Sequence, residues 1–194
     1  MRKLIFRALC LNLAYVLALT LVLISCSSSE TAYTPEDLGR HLAKTIVQKD
    51  FSRFTQRFLD KTDYEYISAQ QRQWYTAKNS SPGAQQLGSG TTEHQRTVFL
   101  KAREEKLKEV RLQFDHLIGE LEKAKINVSQ LKFEGISRES TNNRRGVETL
   151  DLFVTLSEGK SKTVIRVVGC VKSKRGWVYG EAPKLDSNTQ ARPG

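Results

Sequence analysis

Leu150-Asp151-Leu152-Phe153-Val154-Thr155-Leu156 decides how this chain folds. Leu150, Leu152, Val154 and Leu156 recur at every second residue, while Thr149, Asp151 and Thr155 take the alternate places. A strand turns successive side chains to opposite faces, so this stretch is a β-strand with one face in a core. Downstream, Ser157-Glu158-Gly159-Lys160 reads as a turn into a strand near 162–171, both of whose faces are largely apolar. A further turn at Lys174-Arg175-Gly176 leads into Trp177-Val178-Tyr179. Upstream, Leu131 and Phe133 open the same period, and Thr141-Asn142-Asn143 marks the turn that follows. Short loops between successive strands predict an antiparallel meander of about four strands.

Before residue 127 the period becomes helical. Thr34-Pro35-Glu36-Asp37 is a helix start, with a threonine cap, proline in the first turn and acids on the positive end of the dipole. Leu38, Leu42 and Ile46 share a face with His41 and Thr45. Asp50 restarts the chain, and Phe51, Phe54 and Phe58 form a second short stripe. Tyr64 to Lys78 carries Tyr64, Tyr66, Ile67, Trp74 and Tyr75, either packed on the core or acting as a lid or partner patch. Ser68 and Gln71 are spaced as the capping box of a short helix there. Asn79 to Gly90 reads as a turn-rich mobile loop. Thr92 and Gln95 form another capping box, opening a long helix over roughly 93–126. Its steps from Leu107 through Val110, Phe114 and Leu117 to Leu121 alternate three and four, as in a coiled coil. Arg103 breaks the seam and Ile118 widens it, which suits a helix packed on a sheet. A core helix and a dimerising coil are the two readings. The fold class that follows is α+β, with N-terminal helices packed on a C-terminal curved antiparallel sheet.

The N-terminus supplies an address. Arg2, Lys3 and Arg7 precede an apolar run from Ala8 to Ile24, as in a secretory signal. The run is 17 residues long, the short edge of what spans a bilayer, so an uncleaved anchor is the competing reading. Leu23-Ile24-Ser25-Cys26 resembles the bacterial lipobox. That resemblance implies cleavage between Ser25 and Cys26, lipidation of the Cys26 thiol, and a membrane partner held through two or three acyl chains, an effectively permanent attachment. Ser27 in place of aspartate is similar to the signal for the outer membrane, on the periplasmic side, in a Gram-negative cell. The expected organisation is 1–25 signal peptide, 26–33 lipidated tether, 34–185 a single α+β domain and 186–194 a disordered tail. The tether is short, since seven residues reach at most about 25 Å.

The run Pro35…Leu38…Leu42…Ile46…Asp50-Phe51…Phe54 resembles the first two helices of nuclear transport factor-like (cystatin-like) domains, and Gly176-Trp177 opening the last strand is similar to their ending. The resemblance implies helices against a curved sheet that forms a cone. The mostly helical 60–126 departs from that family, which usually inserts two strands there. A pocket in such a cone would be walled by Trp177 and Tyr179 with Arg166 at the rim. Family enzymes set a His–Asp pair inside, and His41 is the histidine placed for it. Ordinary core packing of the aromatics and a rim histidine are the plainer alternatives.

Composition narrows the rest. The three basic residues of the signal reduce the formal net charge from +10 to +7 on cleavage, and the remaining 169 residues suffice for one core. Cys10 leaves with the signal, Cys26 takes lipid and Cys170 stands alone in an apolar strand, so no internal disulfide is expected. The histidines His41, His94 and His116 are scattered, and no metal, cofactor or catalytic motif is expected. Basic residues gather at loop tips: Arg144 and Arg145, Lys160 and Lys162, and Lys172, Lys174 and Arg175. In a membrane-tethered protein these are candidate contacts for anionic lipid or cell-wall polymer, or else solvated hairpin tips. Nucleic acid is excluded as a partner for an exported chain. The functional expectation is a non-catalytic envelope lipoprotein that binds a protein partner or small ligand. The alternatives are a small-substrate enzyme using the cone, and a structural subunit dimerising through 93–126.

Overall fold

The computed structural model describes residues 33–78 and 93–186, so the signal, Ser25, Cys26, the loop 79–90, Thr92 and the tail from 187 lie outside the described residues. Four helices come first: α1 (Pro35–Val47), α2 (Phe51–Thr55), α3 (Lys61–Lys78) and α4 (Glu93–Lys123). Five strands follow: β1 (Lys132–Arg144), β2 (Val147–Glu158), β3 (Ser161–Ser173), β4 (Gly176–Val178) and β5 (Pro183–Leu185). The strands form an antiparallel meander in the order β1-β2-β3-β4, with β5 paired to β3 beyond β4. The fourth position of the sheet is thus two short strands along one edge of β3. The fold is α+β, helices on a curled antiparallel sheet.

Local chemistry sets the helix starts. Thr34 accepts from the Asp37 amide at 3.1 Å while its own amide donates to Asp37 at 3.0 Å, a reciprocal cap for α1. Asp50 caps α2 through the Arg53 amide at 3.0 Å. The α3 helix is continuous from Lys61, so the short helix expected at Ser68 is a correction. Asp60 and Asp63 exchange amide bonds of 3.0 Å, and that earlier cap absorbs Ser68 into the helix interior. The α4 helix spans 31 residues, about 46 Å at the α-helical rise.

Burial follows the expected stripes. Leu38, Leu42 and Ile46 of α1, Phe54 of α2, and Val110, Phe114, Leu117 and Leu121 of α4 meet Leu150, Leu152, Val154, Leu156, Ile165 and Val167 of the sheet. Each such side chain contributes about 2 kcal/mol of burial. The three-four stripe of α4 is therefore spent in the core. Gly39 lets α1 approach β1 closely, since a Cβ there would lie 2.5 Å from Ile136 Cγ2.

Three register shifts curl the sheet, because each inserts one extra residue and sharpens the local twist. Two are in β1, between Phe133 and Gly135 and between Glu139 and Asn142. The third is in β3 opposite Leu150 to Leu152. There Gly169 takes φ +67°, and Asp151 secures the bulge by accepting from the Gly169 amide at 3.0 Å and from Arg166 at 2.7 Å. The turn expected at 141–143 is also corrected. Those residues belong to β1, and the chain reverses at Arg145-Gly146, both with left-handed φ (57° and 78°) as a two-residue hairpin requires.

Candidate functional site

The expected pocket residues separate. Tyr179 is fully buried, stacks on Phe54 with centroids 4.6 Å apart, and donates its phenolic proton to the Leu38 carbonyl at 2.8 Å. His41 Nδ1 lies 3.1 Å from the same oxygen. The single phenolic proton is already committed, so Nδ1 carries the imidazole hydrogen and donates, which leaves Nε2 with the lone pair. Desolvation, then the nearby charges of Arg57, Arg53 and Lys44, pull His41 from 6.5 down to about 4. Trp177 is buried in the same core. Arg166 is on the other face of β3, between the inward Ile165 and Val167, with its guanidinium over Phe153 at 5.3 Å and bonded to Asp151. Arg166 therefore walls no site with Tyr179, because strand parity turns it away.

The basic set divides as well. Arg175 is withdrawn from the surface contacts: its guanidinium meets both oxygens of Asp63, whose side chain is 1% exposed, and also Asp60 at 3.0 Å. Burial alone would raise the Asp63 carboxyl, but hydrogen bonds from Arg175, Asp60 and Ser173 outweigh it and hold Asp63 below the usual range. Lys172 bonds Glu148 at 3.0 Å. Arg145 and Lys174 are exposed, Arg145 over the Tyr75 ring at 5.8 Å. Arg144 closes β1 with its backbone, and its side chain is outside the described residues.

The open space is on the outside of the core. A groove of about 460 Å³ runs between the outer side of α4 and β5, lined by Leu112, His116, Leu117, Glu120, Pro183 and Leu185. Leu185 also walls a second recess of about 320 Å³, with Ala124, Ile126, Thr163, Val164 and Asp186. Leu112 projects here at 71% exposure. Sequence reasoning missed this place. Leu112 stands off the α4 stripe, and that misplaced leucine was its one signal.

Other residues singled out in the sequence also have defined places. Cys170 is buried and unpaired by disulfide, and burial pushes its thiol up. Arg103, which breaks the α4 seam, donates to the Leu59 carbonyl at 2.6 Å and ties α4 to the chain entering α3. Tyr64 stacks on Phe99 of α4 at 4.2 Å. Among the described residues, no cluster of His, Cys, Asp and Glu would hold a metal, and no helix is long and apolar enough to cross a membrane. Protein-family models, curated proteins and solved structures give no match to this chain.

Proposed function

We propose that this chain is a lipid-anchored, non-catalytic lipoprotein of the bacterial envelope whose domain binds a protein partner or small ligand in the α4–β5 groove. The observation that carries the anchor is Leu23-Ile24-Ser25-Cys26 at the end of an apolar run behind three basic residues. Ser27 favours the outer membrane in a Gram-negative cell. The groove supports the binding role: it is concave, mostly apolar and of ligand size, with His116 and Glu120 at its edge. The helix pair Pro35–Thr55 against a curled sheet supports the nuclear transport factor-like resemblance.

Two rival readings have less behind them. A cone enzyme needs a base at its centre, whereas His41 bonds a buried phenol among three cations. A coil through α4 would need the stripe that Val110, Phe114, Leu117 and Leu121 spend in the core. The test of the anchor is metabolic labelling with a radioactive fatty acid in a bacterial host. The full-length chain takes label and is shortened, while Cys26→Ser takes none and accumulates as precursor. Undiminished label on Cys26→Ser overturns the reading.

A further inference from the structure

We infer that the end of the domain built from α3 and the β1–β2 and β3–β4 turns is its membrane-facing surface, seated on anionic lipid headgroups. This rests on the lipid-anchor reading above. Three features that are far apart in the sequence converge at that end. The first is the entry of the chain. The Tyr33 amide donates to the Arg175 carbonyl at 3.1 Å, the Trp177 amide donates to the Tyr33 carbonyl at 2.9 Å, and the Arg57 guanidinium covers the Tyr33 ring at 3.2 Å. Tyr33, read from sequence as the last tether residue, is thus clipped to the β3–β4 turn, and only Ser27 to Ala32 separate it from Cys26.

The second feature is charge. Lys172 bonds Glu148 across β2 and β3, so the β1–β2 and β3–β4 turns lie side by side with Arg145 and Lys174 exposed. The exposed Lys61 starts α3 beside them, next to the Asp60 that meets Arg175. A basic residue near an anionic surface contributes about 1 kcal/mol, within a Debye length of about 8 Å. The third feature is aromatic. The α3 helix lies along this end, from Asp63 on Arg175 to Trp74, whose Cβ would be 3.0 Å from a Cβ at Gly146. Its half-buried Tyr66, Trp74 and Tyr75 are amphipathic rings of the type favoured at headgroup depth.

Geometry excludes the opposite end. The β2–β3 turn, with Lys160, is separated from the entry point by the 13 residues of β3, about 40 Å. A tether reaching about 25 Å does not allow the domain to stand on that end.

The experiment uses the full-length lipidated protein in vesicles of phosphatidylglycerol mixed with phosphatidylcholine, with a fluorophore on Thr62→Cys or Lys160→Cys and a headgroup-labelled acceptor lipid. Both positions are exposed, and Cys170 is buried. The inference expects about threefold stronger quenching at 62 than at 160, shrinking in pure phosphatidylcholine and with Arg145→Glu/Lys174→Glu. Equal quenching at the two positions overturns the orientation, and a preference unchanged in pure phosphatidylcholine overturns the headgroup attraction. Fatty-acid labelling run in parallel separates these from a failed anchor, in which the wild type takes no label or Cys26→Ser keeps it.

Discussion

Tyr179 spends its one phenolic proton on the Leu38 carbonyl and receives another from His41, so α1 and the chain after β4 are joined at one oxygen. Tyr179→Phe keeps the stack on Phe54 and deletes that junction. The expected cost is about 1–2 kcal/mol in urea unfolding, since His41 Nδ1 then lacks an acceptor and Leu38 loses one of two donors. His41 sets a pH signature. Folded, it stays neutral to about pH 4, whereas unfolded it takes a proton near 6.5. The unfolded state thus binds more protons between these values, and stability falls as the pH drops from 6.5 to 4. Above 6.5 the full stability is present. Asp63 acts in the same sense but lower, its contribution present above 3.8 and lost as the pH falls through its depressed folded value. Denaturation midpoints of the wild type and His41→Gln, measured from pH 7.5 to 4, are expected to differ in slope within that window; parallel curves would remove His41 as the cause.

At the scale of elements, the Asp63–Arg175 pair joins the first turn of α3 to the β3–β4 turn across 112 residues of sequence. Removing one member strands a buried carboxylate, so Arg175→Ala is expected to cost about 3 kcal/mol. Asp63→Leu/Arg175→Met is expected to cost less than the sum of its single variants, a coupling that a double-mutant cycle measures directly. This pair also shows where the sequence stopped being legible. Arg175 sits in a turn with Lys174, and nothing local distinguishes a solvated cation from one that a distant carboxylate holds. The strand Leu150 to Leu156 was legible because its parity is unbroken. In β3 the bulge at Gly169 changes parity, so Ile165 and Val167 point inward, Val168 is 40% exposed and Cys170 is inward again. From sequence, both faces therefore look apolar. Asn142-Asn143 has turn composition, yet the left-handed geometry is taken three residues later by Arg145-Gly146. Thr34–Asp37 was readable as a cap because both partners are local, whereas α3 begins on an Asp–Asp exchange outside the usual threonine–glutamate pattern.

For the whole molecule, Phe54, Trp177 and Tyr179 pack in the core, and a concavity lies outside it between α4 and β5. That groove is built from α4 and β5, whose nearest ends in sequence, Lys123 and Pro183, are 60 residues apart, which is why Leu112 was its one sign in the sequence. Leu112→Glu is expected to leave stability within about 0.5 kcal/mol, because the side chain is mostly in water already. In native mass spectrometry of the gently purified protein, a non-covalent added mass on the wild type is expected to be lost in this variant. An added mass retained equally by both would place the binding elsewhere.

The sealed position of Cys170 gives the protein an internal clock. Its thiol is fully buried on β3 and strongly disfavours the reactive thiolate, so an alkylating reagent finds no target while the sheet and helices stay together. In the lipidated and processed form proposed above, Cys170 would be the one thiol of residues 26–194. Each alkylation then records one opening of the core, and the rate of labelling reads the frequency of those excursions without any engineered probe.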